Sequence, residues 1–239
     1  MNRLKKCIDF QMKSMIKTTI IFICIYILVC AVLLLFISPS INGGFNSGFY
    51  IGCAVFIFVY VIAGYRENFN YLLMFSNTRK NIFFSSAVAF AAMSIFLAVV
   101  SILSIQLDGV LARLFEFGGN SHYGLITLMY NDSNMAAEFL WFTAFFILIC
   151  SFSMLYSSLA YKLGKIFITF FWICFGISWV VLPAASGIDG ASTFFNTLKA
   201  YFCVGVPNGI LLAPVNFAIT AVILGAVAYV ISSRQSQTA

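Results

Sequence analysis

Six long apolar runs, separated by short polar connections, organise this chain: residues 15–37, 48–65, 82–107, 139–161, 166–183 and 209–232. Each is near the ~20 residues that a helix rising ~1.5 Å per residue needs to cross a bilayer core. The runs are apolar on every face. Membrane strands alternate lipid-facing and lumen-facing residues, so the pattern predicts helices rather than a barrel. The expectation is an all-α integral membrane protein of six transmembrane helices forming a single domain over residues 1–239, with no visible repeat or soluble module.

The connections differ in kind. Residues 1–14 precede the first run as an amphipathic lead-in: Leu4, Ile8, Met12 and Met15 form an apolar row, while Lys5, Asp9, Lys13 and Lys17 repeat at i, i+4 on another face. The pattern reads as an interfacial helix with its lysines toward anionic lipid. The apolar run after it is too long for a signal peptide, so it reads as a retained helix. Residues 66–81 are charged, residues 108–138 carry Gly118-Gly119 and the single His122, and residues 184–208 hold a short amphipathic stretch, Thr193–Phe202, before Gly205 and Pro207. A Pro/Gly-interrupted apolar stretch of that kind could re-enter the membrane only where protein or water satisfies its backbone.

Composition agrees. The chain is 62% hydrophobic and 8% charged, whereas soluble domains are about half apolar and a quarter charged. Arg3, Lys5, Lys6, Lys13, Lys17, Arg66, Arg79, Lys80, Lys162, Lys165 and Arg234 fall on one side of the six-run topology, and only Arg113 and Lys199 on the other. The positive-inside rule places that richer side in the cytoplasm, with both termini, and makes residues 108–138 and 184–208 extracellular. The net charge of +6 thus reports membrane orientation rather than nucleic-acid binding. The seven cysteines have no CxxC or CxxH spacing, and neither a disulfide framework nor a metal is expected.

No Asp, Glu, Lys, Arg or His occupies the middle of any run. Such residues mark proton relays and ion sites, so ion-driven transport through a charged midplane site is disfavoured, although a carbonyl-lined ion site needs no charge. No phosphate-cradling loop, zinc motif or nucleophile elbow is present, and the chain is not expected to be an enzyme. Polar groups at depth are Asn216, Thr220, Thr169, Tyr26, Tyr60 and the serines 151, 153, 157 and 158; Ser and Thr in spans mostly bond their own helix. Small-residue stripes run through Ala87, Ala91, Ser94, Ala98 and Ser101, through Ala221, Gly225, Ala228 and Ser232, and through Gly48 and Gly52, as helix seams require.

The stretch YRENFNYLLMFSNTRKN, Tyr65 to Asn81, stands out. Phe69, Leu72 and Leu73 share a face, with Tyr71 and Phe75 beside it, and Ser76-Asn77-Thr78 supplies capping residues before Arg79-Lys80. It reads as a short cytoplasmic helix lying across the membrane, either a lipid-lying connector or a docking helix for a cytosolic partner.

Six runs in this length, an amphipathic lead-in and an aromatic, Leu-containing helix followed by Phe75-Ser76-Asn77-Thr78-Arg79-Lys80 resemble the ABC-2 type transporter permeases, with Ser76 where glycine is common. The basic-Gly-basic hinge Lys162-Leu163-Gly164-Lys165 is similar to that family too. The resemblance implies that residues 1–14 are an elbow helix and that Arg66, Glu67, Phe69, Asn70, Tyr71, Leu72, Leu73, Phe75, Arg79 and Lys80 couple to an ATPase. It implies two cytosolic ABC ATPase subunits and a second permease subunit, identical or sibling, in a plasma membrane. It places ATP and Mg on the partner and no cofactor on this chain. The implied function is export of a hydrophobic or amphipathic substrate, membrane-active peptides by analogy, through a cavity for which Phe56, Tyr60, Phe171, Trp172 and Phe175 are candidates. A stand-alone channel or secondary carrier, and a non-transporting scaffold or sensor, are the other readings that these residues leave open.

Overall fold

The computed structural model describes residues 3–37, 48–74, 78–114, 125–130, 134–184 and 196–234, and all regular structure among them is helical. The elements are α1 (Arg3–Ile37), α2 (Phe49–Met74), α3 (Arg79–Leu114), α4 (Leu125–Tyr130), α5 (Met135–Leu163), α6 (Lys165–Ala184), α7 (residues 196–201) and α8 (Gly209–Ser233). Four stretches, Leu4–Val32, Arg79–Val110, Met135–Leu163 and Gly209–Ser233, are long and apolar enough to cross a membrane. Shorter apolar stretches, Phe49–Tyr65 and Lys165–Cys174, lie in α2 and α6. Large apolar side chains such as Leu28, Val55, Leu107 and Val222 are exposed along the outside. The chain is a multi-pass helical membrane protein.

Contacts between named residues fix the helix directions. Gln11 of α1 donates to Ser86 of α3 at 3.0 Å, both near their helix starts, so these two helices are parallel. Phe10 stacks on Tyr71 and Tyr26 packs edge-on against Phe49, so α2 runs against α1. Tyr50 meets Phe142 near the starts of α2 and α5, while Tyr65 meets Ser158 near their ends, so these run together. Trp141 packs on Phe217 near the starts of α5 and α8, which share that direction, and Tyr156 packs on Phe167 across the antiparallel α5–α6 turn. Thus α1, α3 and α6 point one way and α2, α5 and α8 the other. Eleven of the thirteen Lys and Arg residues lie on segments at one end, called here the basic end, where α1 starts and α8 ends; Arg113 and Lys199 lie toward the far end.

The hinge at the basic end is a tight turn. Gly164 adopts φ 71°, a left-handed conformation that costs other residues a Cβ clash. Its N–H closes onto the Ala160 carbonyl at 3.0 Å and α6 starts at the next residue. At the other end of α5, Asn134 caps the helix by accepting from the Ala136 N–H at 3.1 Å.

α5 is the central post, packed against α2, α3, α6 and most extensively α8. Small residues make these seams close. Ser94, Ala98 and Ser101 of α3 are buried, with Ser94 beside the Cys150 thiol at 3.4 Å and Ser101 beside Cys53 at 3.8 Å. Ala221, Ala228 and Ser232 of α8 are buried as well. A Cβ at Gly52 would lie 2.9 Å from the Tyr26 ring, so a side chain there would have to push that ring aside where α1 and α2 meet. These small-residue stripes serve packing within the chain.

Two expected elements are not separate. From Arg3 on, the lead-in expected at 1–14 is the first part of an unbroken α1, about 52 Å long at 1.5 Å per residue. The predicted helix across the membrane after Tyr65 is the last turns of α2, which runs on to Met74. The physical reason is the same in both places: no proline interrupts either junction, so the backbone hydrogen-bond ladder propagates past the change in polarity. The buried row of α1 also differs from the predicted one. Cys7, Gln11, Met15 and Thr19 are buried, whereas Leu4, Ile8 and Met12 are half-buried. The adjacent i, i+4 row of Phe10, Ser14, Thr18, Phe22 and Tyr26 faces α2, and Lys5, Asp9, Lys13 and Lys17 stay exposed as expected.

One hydroxyl locks three helices at the basic end. The Tyr65 hydroxyl of α2 donates to Ser232 Oγ of α8 at 2.9 Å and accepts from Ser158 Oγ of α5 at 3.2 Å. All three residues are buried. Tyr65→Phe keeps the ring and removes both bonds. A double-mutant cycle with Ser232→Ala in detergent should give a coupling of about 0.5–1.5 kcal/mol, read by thermal or denaturant unfolding; additive effects would mean that the bond contributes nothing.

Candidate functional site

The end of α2 beyond Tyr65 is the segment expected to meet a partner. Its inner face belongs to the bundle. Phe69 is 3% exposed, stacks on Tyr65 with ring centroids 5.6 Å apart and meets the Tyr161 ring of α5 edge-on at 6.0 Å. Leu72, one turn on, is 4% exposed, and Leu73 is half-buried. The apolar stripe therefore closes the chain's own core, and Phe69 and Leu72 are not free to dock. A stripe on a helix shows that one face is buried without showing what covers it.

What the segment exposes is Tyr71, 47% exposed and stacked at 5.2 Å on the also exposed Phe10. Helix geometry puts positions 67, 70, 71 and 74 on this outer face. Arg66, Glu67 and Asn70 sit on α2 with their side chains outside the described residues, and Phe75 lies outside them altogether. Arg79, half-buried, and Lys80, exposed, open α3 behind Thr78, whose hydroxyl accepts from the Asn81 N–H at 3.3 Å. The stretch thus offers an aromatic patch of Tyr71 and Phe10, fixed to the bundle from behind.

The candidate cavity aromatics do not gather around one space. Phe56 stacks on Phe22 of α1 at 4.2 Å and on Tyr60 at 5.8 Å, and Tyr60 meets Phe90 of α3 edge-on. Phe171 sits on the other side of α2, against Tyr156 of α5 at 4.6 Å, with Trp172 next to it and half exposed. Phe175 lies in α6 with its side chain outside the described residues. Residues 56 and 171 are separated because the helix turns Phe58, not Phe56, toward Phe152 and Tyr156.

At the far end, residues 196–208 fold back along α8. The Tyr201 hydroxyl donates to Thr220 Oγ1 at 2.9 Å, about 16 Å along α8 from Gly209. Irregular backbone at this depth needs partners, and it has them. Asn216 Nδ2 donates to the Tyr201 carbonyl at 3.0 Å, and the Tyr130 hydroxyl of α4 donates to the Phe202 carbonyl. Trp141 Nε1 in turn donates to Tyr130 at 3.1 Å. Burial pushes the Tyr130 phenol up, so it keeps its proton for that bond. Cys203, Gly205 and Asn208 all have positive φ, and a Cβ at Gly209 would collide with the Cys203 carbonyl. Phe217, fully buried, is ringed by Trp141, Phe145, Tyr201 and Phe202. Asn216 and Thr220, polar residues of no evident use in the sequence, are what hold this turn.

The sequence also hid Ser158. Ser153, Ser157 and Thr169 bond their own helices, as their types predict, while Ser158 crosses to Tyr65. The one signal was Ser232 at the end of a small-residue stripe. Among the described residues no group of His, Cys, Asp and Glu could hold a metal. No family model, curated protein or solved structure matches the chain.

Two pairs of substitutions separate closely packed from less confined positions. Phe69→Ala should cost about 3–5 kcal/mol of stability, as buried aromatic truncations do, and Tyr71→Ala about 1 kcal/mol or less; equal losses would mean that the two faces are not distinguished. Gly209→Ala should lower the detergent melting temperature clearly, whereas Gly225→Ala, with nothing within 4 Å of its added Cβ, should leave it unchanged or raise it through helix propensity.

Proposed function

We propose that this chain is the membrane subunit of an ABC exporter, crossing a plasma membrane six times with the basic end in the cytoplasm. In this reading a separate pair of ATPase subunits binds ATP and Mg, and a second permease copy or sibling completes the pathway. The observation that carries the reading is the unbroken α2. Its basic-end extension is a direct continuation of a span, fixed to α5 and α8 through Tyr65 and to α5 again through Phe69. A push on the outer face at Tyr71 is therefore delivered to three helices at once, which is what a chain without its own energy source needs.

The alternating helix directions and the gathering of cations at one end support six crossings and the orientation. The resemblance of the Phe75–Lys80 and Lys162–Lys165 stretches supports the family. The substrate class follows from what lines the helices. With 28 Phe and no Asp, Glu, Lys, Arg or His in mid-span, a path between them suits hydrophobic or amphipathic cargo, membrane-active peptides foremost. Docking falls to the exposed face of α2, to Tyr71 with Arg66, Glu67 and Asn70, and to Arg79 and Lys80.

Co-expression with its genomic neighbours tests this. An ATPase chain should co-purify in detergent, and Tyr71→Ala should weaken its retention by about tenfold while leaving the melting temperature nearly unchanged. In liposomes the pair should move an amphipathic peptide only with ATP and Mg. Flux from this chain alone without nucleotide would establish a channel or carrier instead.

A further inference from the structure

The turn between α5 and α6 carries an apolar tip. Leu163 is 53% exposed and Ile166 83%, the latter more than any other large apolar side chain among the described residues. Lys162 and Lys165, both exposed, alternate with them. No Asp or Glu occurs between Glu138 and Asp189, and neither lysine has an ion-pair partner among the described residues. The turn has no slack, because the Gly164 N–H bonds the Ala160 carbonyl at 3.0 Å and α6 starts at Lys165. One contact sets the level of this tip along the bundle. Phe69 of α2 meets Tyr161 of α5 at 6.0 Å, and the two helices run in the same direction. Tyr71 lies two residues past Phe69, and Leu163 two residues past Tyr161, each about 3 Å farther out at ~1.5 Å per residue. Tyr71 and Leu163 are therefore level, on helices that touch.

A body seated on Tyr71 reaches the level of this tip. We propose, on the basis of the exporter reading above, that the α5–α6 tip is a second docking contact for the ATPase subunit. Leu163 and Ile166 enter an apolar groove of that subunit, and Lys162 and Lys165 meet carboxylates on its rim. Charge complementarity selects the acidic rim, since two cations with no carboxylate on their own helices gain from one and lose hydration without it. The bracketing of both apolar side chains by cations selects a protein groove over acyl chains. The exposed Phe170 and Ile173, farther along α6, have no cation beside them and are the ones placed for lipid. A turn already closed at Gly164 presents the pair at little ordering cost. The contact also gives the partner a direct hold on α6, which the Tyr65 junction of α2, α5 and α8 does not reach.

The full chain, co-expressed with the ATPase encoded beside it and purified in detergent, tests the contact. Leu163→Ala combined with Ile166→Ala should weaken retention of the ATPase about tenfold and leave the thermal midpoint nearly unchanged, because both side chains are exposed. Ile173→Ala, an equally apolar change farther along α6, should leave retention intact. Lys162→Gln combined with Lys165→Gln should weaken retention several-fold at low salt and little at high salt. A photoreactive phenylalanine analogue in place of Ile166 should cross-link to the ATPase chain in cell membranes, and the same analogue in place of Ile173 should not; this readout decides the matter even if the double variants fold poorly. Retention that is lost with Tyr71→Ala but unchanged by the Leu163 and Ile166 pair overturns this contact and leaves the exporter reading standing. Cross-linking at position 166 to lipid alone overturns it as well, and so does a lysine pair without effect at low salt. No ATPase retained by the unaltered chain overturns both.

Discussion

The Tyr65 hydroxyl is the point on which the basic end of this protein depends. A phenol buried at a helix junction needs both its donor and its acceptor satisfied, and here Ser232 and Ser158 do so from two different helices. Three apolar helices that could slide past one another in lipid are thereby given one register. Phe69 stacks directly on that ring, so the end of α2 is held to the core by the same residue that joins α5 to α8. The far end has its own lock, in which Asn216 and Tyr130 take up the carbonyls of a turn that no helix could satisfy. Between the two locks the seams are made of small residues and apolar contacts, which specify closeness but little direction.

Much of this architecture was legible in the sequence. Apolar runs at 139–161 and 209–232 became α5 and α8 with ends shifted by a few residues, because capping by Asn134 and the Gly164 turn are local chemistry. The unbroken α1 and α2 were not legible. Polarity changes at Met15 and at Tyr65, and a change in polarity reads as a change of element, yet the backbone stops only where something breaks its ladder. Phe69 and Leu72 carry a second lesson. Their spacing announced a buried face, and only the position of Tyr161 on a helix ninety residues away determines that the face turns inward. Ser158 is a third. By type it is indistinguishable from Ser153 and Ser157, and proximity to Tyr65 alone gives it another role.

Placing one face of α2 in the core has a consequence for any partner. A docking surface built from Phe69 and Leu72 would have to be pulled out of the bundle, whereas one built around Tyr71 is already available and supported from behind by Phe10. Rigid support of this sort reduces the ordering cost of binding. It also means that force applied to the segment does not dissipate in a hinge.

The account requires the extension of α2 to face the cytoplasm, where an ATPase can reach it. In a chain lacking the seven native cysteines, Tyr71→Cys provides a single thiol at that surface for a membrane-impermeant maleimide. The account predicts no labelling on intact cells and full labelling after the membrane is opened. Labelling of intact cells would place the segment outside and contradict it.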